Sequence, residues 1–137
     1  MKYLGLFFNI LLLLLVACAD ENEELKNSII KINKECPQQF ENWTLDSMGI
    51  SKKGDIVYFC NSTNNADYMI LLKSKKDSIR NELIGKINSN IYKNSNNLIQ
   101  LCKKNNAGLI YKFYSNNTKE TVVLKIPVDK LITDPAK

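Results

Sequence analysis

Leu4 to Val16 run almost unbroken in apolar residues behind Lys2, and the run closes at Leu15-Val16-Ala17-Cys18. About 13 apolar residues fall short of the ~20 that cross a bilayer as a helix. A short positive start, an apolar run and small residues before a cysteine make a bacterial lipoprotein signal. Residues 1–17 are therefore read as a signal peptide, and Cys18 as the lipid attachment site. The cysteine thiol takes a diacylglycerol thioether, cleavage falls before it, and its freed amine is acylated. Two or more acyl chains hold a protein stably where one holds it only marginally. The expected location is the cell envelope, lipid-anchored in the bilayer and at the outer membrane. About 120 residues remain to fold, within the usual size of a single domain.

The next residues, Asp20, Glu21, Glu23 and Glu24, make 18–24 an acidic tether, and 25–137 is read as one domain. The net charge of +5 comes from lysines spread along the chain, and Arg80 is the single arginine. Nucleic-acid binders gather charge on one face and favour arginine forks, so no nucleic-acid partner is expected. Histidine is absent. That removes Ser-His-Asp and Cys-His catalysis and the commonest zinc ligand. Cys36, Cys60 and Cys102 are widely separated with no C-x-x-C spacing, so no metal and no cofactor is expected. Three thiols allow at most one disulfide. Cys36 and Cys102, each at the C-terminal end of an apolar helical stripe, are the candidates for it, and burial as small hydrophobes is the alternative.

Leu25, Ile29, Ile32 and Cys36 recur at helical steps and Pro37 stops the pattern, predicting a helix over about 22–36. Residues 43–50 and 55–61 read as two strands around Ser51-Lys52-Lys53-Gly54. Ile56, Tyr58 and Cys60 point one way along the second strand, Val57 and Phe59 the other. Tyr68 to Leu72 fits either a short strand or a helical turn. Ile79, Leu83, Ile87, Ile91, Leu98 and Cys102 mark one long amphipathic helix, or two bent near Asn94. Asn106-Ala107-Gly108 supplies a stop, with glycine able to turn left-handed. Leu109–Ser115 and Thr121–Ile126 then alternate as strands, placing Leu109, Tyr111 and Phe113 opposite Val122, Leu124 and Ile126. The order is helix–hairpin–helix–hairpin. This predicts an α+β fold, a four-stranded antiparallel sheet with helices packed on one face.

Ile32-Asn33-Lys34-Glu35-Cys36-Pro37, the 101–114 run from Leu101 through Ala107-Gly108 to Tyr114, and Ile126-Pro127-Val128-Asp129-Lys130-Leu131 carry a resemblance. Together with the signal they resemble a group of small exported lipoproteins common in the Bacteroidetes. The resemblance implies an architecture and an envelope location, and its motifs are fold punctuation without a catalytic set.

The function expected is a non-catalytic binding or interaction module, anchored to the membrane, with an envelope protein as partner. Trp43, Val57, Phe59 and Tyr114 are the candidates for its binding surface, because exposed aromatics on a sheet fill a partner's pocket or stack on sugar rings. A surface module for a glycan or another small ligand is the first alternative. A carboxylate-dependent hydrolase is the second, with Asp46, Asp55, Asp67 and Glu120 as the pool for a pair set about 5–9 Å apart.

Overall fold

The computed structural model describes residues 23–89 and 95–131. The signal 1–17, Cys18, the tether up to residue 22, Ile91 and Asn94 lie outside the described residues. Glu23 and Glu24, assigned to the tether, form the first turn of a helix, α1, over residues 23–34. Acidic side chains suit that position because the helix dipole is positive there. Leu25 and Ile29 form its buried stripe, and the amide of Glu35 donates to the Ile32 carbonyl at 3.0 Å as the helix ends.

Three strands follow: β1 (Gln38–Gln39), β2 (Thr44–Ile50) and β3 (Ile56–Asn61). Helices α2 (Ala66–Ser74), α3 (Lys76–Asn88) and α4 (Ser95–Lys104) come next. Strands β4 (Leu109–Ser115) and β5 (Glu120–Ile126) lead into a 3-10 turn at Val128–Lys130. The stretch Tyr68–Leu72 is thus helical. Asn65 sets its start by accepting the Tyr68 amide on its side chain at 3.0 Å, the ordinary N-cap interaction.

The α+β class holds, and the sheet differs from the expected one in two respects. It has five strands in the order β1-β2-β3-β4-β5, the extra one being the two-residue β1. Its central pair, β3 and β4, is parallel. Both hairpins form as expected, β2 with β3 and β4 with β5. The three helices between them carry the chain from the end of β3 back to the level where β3 began. Parallel neighbours require such a crossover.

Alternation sorts the strand residues. Leu45, Met48, Ile56, Cys60, Leu109, Tyr111, Phe113, Val122, Leu124 and Ile126 are buried on one face. They pack with Leu25, Ile29, Met69, Leu72, Ile79, Leu83, Ile87, Leu98 and Cys102 from all four helices in one core. The register pairs Leu109 with Ile126, Tyr111 with Leu124 and Phe113 with Val122, as the sequence pattern predicts. The other face carries Val57, Phe59, Ile110, Tyr114 and Val123, all half-buried, between the exposed Lys112 and Lys125.

The outer edge of β2 is protected. Strand β1 pairs with Thr44 and Leu45. Farther along, Asn33 of α1 donates to the Met48 carbonyl at 3.0 Å and accepts its amide at 2.7 Å. A side-chain amide thus replaces a missing strand neighbour and blunts an edge that would invite foreign pairing. The stop after α4 also differs from expectation. Asn106 takes the left-handed turn at φ 51°, and the Ala107 amide reaches back to the Cys102 carbonyl at 2.8 Å, in the Schellman manner. Gly108 serves a close approach instead: a Cβ there would sit 2.9 Å from the Ile126 carbonyl oxygen.

Candidate functional site

A concavity lies between the buried sheet face and helices α1, α3 and α4, with a volume of about 290 Å³. Its walls include Phe40, Trp43, Leu45, Met48, Tyr58, Leu83, Ile87, Leu98, Ile99, Cys102, Leu109 and Tyr111, and Ile32, Glu35 and Gln38 contribute beside them. Ligand cavities start at about 300 Å³ and are mostly apolar with a few polar groups, so this one is at the small end of that range.

Local sequence explains the aromatic wall. The Phe40 amide donates to the Trp43 carbonyl at 2.8 Å, a tight turn that closes β1 onto β2. It stacks the two rings with centroids 4.3 Å apart and planes 15° apart. Trp43 then meets Phe113 edge-on at 5.6 Å and Tyr111 at 6.2 Å, a favoured arrangement for ring quadrupoles. The parallel register sets Tyr58 beside Tyr111, with rings stacked at 4.4 Å and 1°. Burial, the largest cause, drives the Tyr58 phenol well above its ordinary range, so it stays a neutral hydroxyl. Burial also pushes the Cys102 thiol up to about 12. Glu35 is the one carboxylate in the cavity lining, and beside it and Gln38 the wall is aliphatic, aromatic or thiol-bearing. Its chemistry is shape and apolar contact.

The expected surface residues separate. Val57, Phe59 and Tyr114 share the open sheet face. Trp43 does not join them: it is buried, 8% exposed, because its turn folds it onto Phe113 beneath the helices. On the open face, the Phe59 ring rests 3.5 Å from where a Gly49 Cβ would be. Asp46 is the extra residue where the β2–β3 register shifts between Leu45 and Ser47, a β-bulge that leaves it unpaired. Its carboxylate accepts the Tyr114 hydroxyl and the Asn61 side-chain amide, the latter at 3.2 Å. Burial first, and then the Asp46 carboxylate, push the Tyr114 phenol up to about 12.

The other three carboxylates of that pool sit on different elements. Asp55 accepts the Gly108 amide at 2.9 Å, Asp67 sits in the first turn of α2, and Glu120 is ion-paired with Lys73. The lysine beside Glu120 holds its carboxyl below the usual range. Phe40, Tyr58 and Tyr111 are cavity residues that sequence reasoning did not assign to a site. Phe40, three residues before Trp43 at the start of the strand read over 43–50, was the available signal.

The disulfide considered for Cys36 and Cys102 is not formed: Cys36, Cys60 and Cys102 are all free thiols. Cys102 and Cys60 are enclosed at 0% exposure in the core, whereas Cys36 is half-buried beyond the end of α1. Burial raises all three thiols above their ordinary value. Reactivity requires the thiolate. In the folded protein at pH 8, maleimide should modify Cys36 slowly and leave Cys60 and Cys102 untouched. A thiol near 12 carries roughly a thousandfold less thiolate than an ordinary one. Urea should release both, as peptide mass mapping would show; rapid native labelling of Cys102 would contradict its enclosure.

No family model matches the sequence, and no curated protein matches it. The fold is similar to the crystal structure of a Pseudomonas aeruginosa protein taken to be secreted. The TM-score is 0.57 at 20% identity, over 80% of this chain and 95% of that one. A pilotin from the Vibrio vulnificus type 2 secretion system matches at TM-score 0.48 and 9% identity, over 86% of this chain and 99% of its own. The first likeness is one of fold. Among the described residues, no helix is long and apolar enough to cross a membrane.

Proposed function

We propose that this chain is a lipid-anchored, non-catalytic binding module of the cell envelope, and that it holds an apolar segment of an envelope protein in the helix–sheet cavity. The observation that carries the reading is the cavity of about 290 Å³, walled by Phe40, Trp43, Tyr58 and Tyr111 and edged by Glu35 and Gln38. That volume accepts one or two large side chains, and desolvated aromatic pockets of this kind supply most of the energy of an interface. The anchor reading is supported by the apolar run ending at Cys18. A fold shared with a protein taken to be secreted agrees with export.

Ile32 is the residue to alter, because it lines the cavity yet is only half-buried. Ile32→Trp should fill the opening and leave the core intact. Crosslinked capture from intact envelopes should then fall at least about tenfold, the effect of losing roughly 1.4 kcal/mol of binding, with an unchanged melting temperature. Undiminished capture by Ile32→Trp would defeat the cavity as the site. Loss through Phe59→Asp instead, in a variant that stays folded, would move the contact to the open sheet face. That face has its own support, since Val57, Phe59, Ile110 and Val123 stand there half-buried.

A further inference from the structure

We infer that the outer edge of β5 is a docking site for an extended, acidic segment of another protein, separate from the cavity. Parity along the backbone decides which groups face outward there. The Ser62 amide donates to the Tyr114 carbonyl at 2.9 Å, and the Ile56 amide to the Gly108 carbonyl at 3.0 Å. A strand residue turns its amide and carbonyl to the same side, so the even-numbered residues of β4 serve β3. Leu109, Tyr111, Phe113 and Ser115 then serve β5, where they stand opposite Ile126, Leu124, Val122 and Glu120. That leaves Thr121, Val123 and Lys125 with amides and carbonyls aimed away from the sheet. Strand β5 is the last of the order, and among the described residues no hydrogen bond engages these groups. The opposite edge is guarded by β1 and Asn33. A row of alternating donors and acceptors recognises an extended backbone.

The charge beside the edge selects the segment. Thr121, Val123 and Lys125 carry their side chains on the open face, where Lys112 stands opposite Val123 and diagonal to Lys125. Both lysines are exposed, and among the described residues neither joins an ion pair. Diagonal neighbours on one face are about 7–8 Å apart, so the two positive charges reinforce each other. The strands themselves carry Asp46 and Glu120 as their acids, and both are engaged: Asp46 by Tyr114 and Asn61, Glu120 by Lys73 on the helix side. Near the end of β5, Asp55 holds the Gly108 amide, and Asp129 lies past Pro127 in the 3-10 turn. An acidic residue opposite Lys125 on an incoming strand would sit within about 5.5 Å, Cβ to Cβ. Edge lysines commonly repel further strands; against an acidic segment the same charges become the means of selection. The helix side adds an apolar contact. Ile70 and Lys73 share one side of α2, a turn apart. Lys73 reaches Glu120, so Ile70 stands on the β5 side, where it is 64% exposed. A strand alternating acidic and apolar residues thus meets the lysines with one face and Ile70 with the other.

The test is residue-resolved amide exchange on the full-length protein in detergent micelles, with two acetylated seven-residue peptides as probes. One alternates valine with glutamate and the other valine with lysine. Without peptide, Thr121, Val123 and Lys125 should exchange at least about tenfold faster than Val122 and Leu124, whose amides are bonded to β4. The glutamate peptide should slow the three at least about threefold, and the lysine peptide should not. The slowing should weaken near 0.5 M salt, where the Debye length is under about 5 Å. Lys112→Glu with Lys125→Glu should reverse the preference. Val123→Pro should stay folded, because an edge strand tolerates proline where the amide faces outward, and should take up neither peptide. Slow exchange of the three amides in the free protein, whether the chain itself or a second copy covers them, would overturn the open edge. Equal slowing by both peptides, or by neither, would overturn the acidic partner. If Val123→Pro unfolds, the charge reversal decides alone.

Discussion

Phe113→Ala should remove a large part of the domain's stability, about 3–5 kcal/mol. Phe113 is 0% exposed. Its ring meets Trp43 edge-on at 5.6 Å and Tyr68 at 5.9 Å, and stacks with Tyr111 at 6.2 Å. The residue therefore joins the turn before β2, helix α2 and strand β4. Truncation loses the transfer free energy of the ring and also leaves a void that these rigid neighbours cannot collapse into. A domain of this size is stable by only about 5–15 kcal/mol, and each kcal/mol moves its midpoint by several degrees. Thermal unfolding followed by circular dichroism should show a midpoint lower by more than about 10 °C. A shift of only a few degrees would mean that Phe113 is not the centre of the core.

Much of this architecture was legible in the residues, because local periodicity encodes it. The 3.6-residue spacing of Leu25, Ile29 and Ile32 and the two-residue alternation through Ile56, Tyr58 and Cys60 need only their neighbours to be read. Hairpin register follows the same pattern, so the facing of Phe113 and Val122 was available from sequence. The direction in which the two hairpins join was not. A parallel β3–β4 pair depends on how far the three intervening helices carry the chain, and no local pattern encodes that distance. Strand β1 is two residues long, too short for alternation to register.

Trp43 shows a different loss of information. Trp43 opens the strand read over 43–50 and counts there among the exposed sheet aromatics, yet the turn that stacks it on Phe40 delivers it to the core. The cavity therefore escaped the sequence, since its wall is assembled from a linker, four strands that include the parallel pair across the crossover, and three helices. Val57, Phe59 and Tyr114 fall on one sheet face through strand alternation alone.

Cys18→Ser should abolish lipid attachment outright. The chain carries four cysteines, and of these only Cys18 follows an apolar run ending in small residues. Cys60 and Cys102 are enclosed within the core, and Cys36 follows a charged helix end at Lys34-Glu35. None offers a signal-linked, accessible thiol as a substitute. Serine is nearly isosteric but its hydroxyl is a far poorer nucleophile than a thiolate for a diacylglycerol donor. Without the thioether, the peptidase has no lipidated substrate, so the precursor should retain residues 1–17. Each buried methylene of an acyl chain contributes about 0.8 kcal/mol to membrane affinity, so losing two or three chains is not a graded change. Fatty-acid label in the variant should fall to background, and intact mass should show the uncleaved precursor. Normal processing with retained label would remove Cys18 as the anchor.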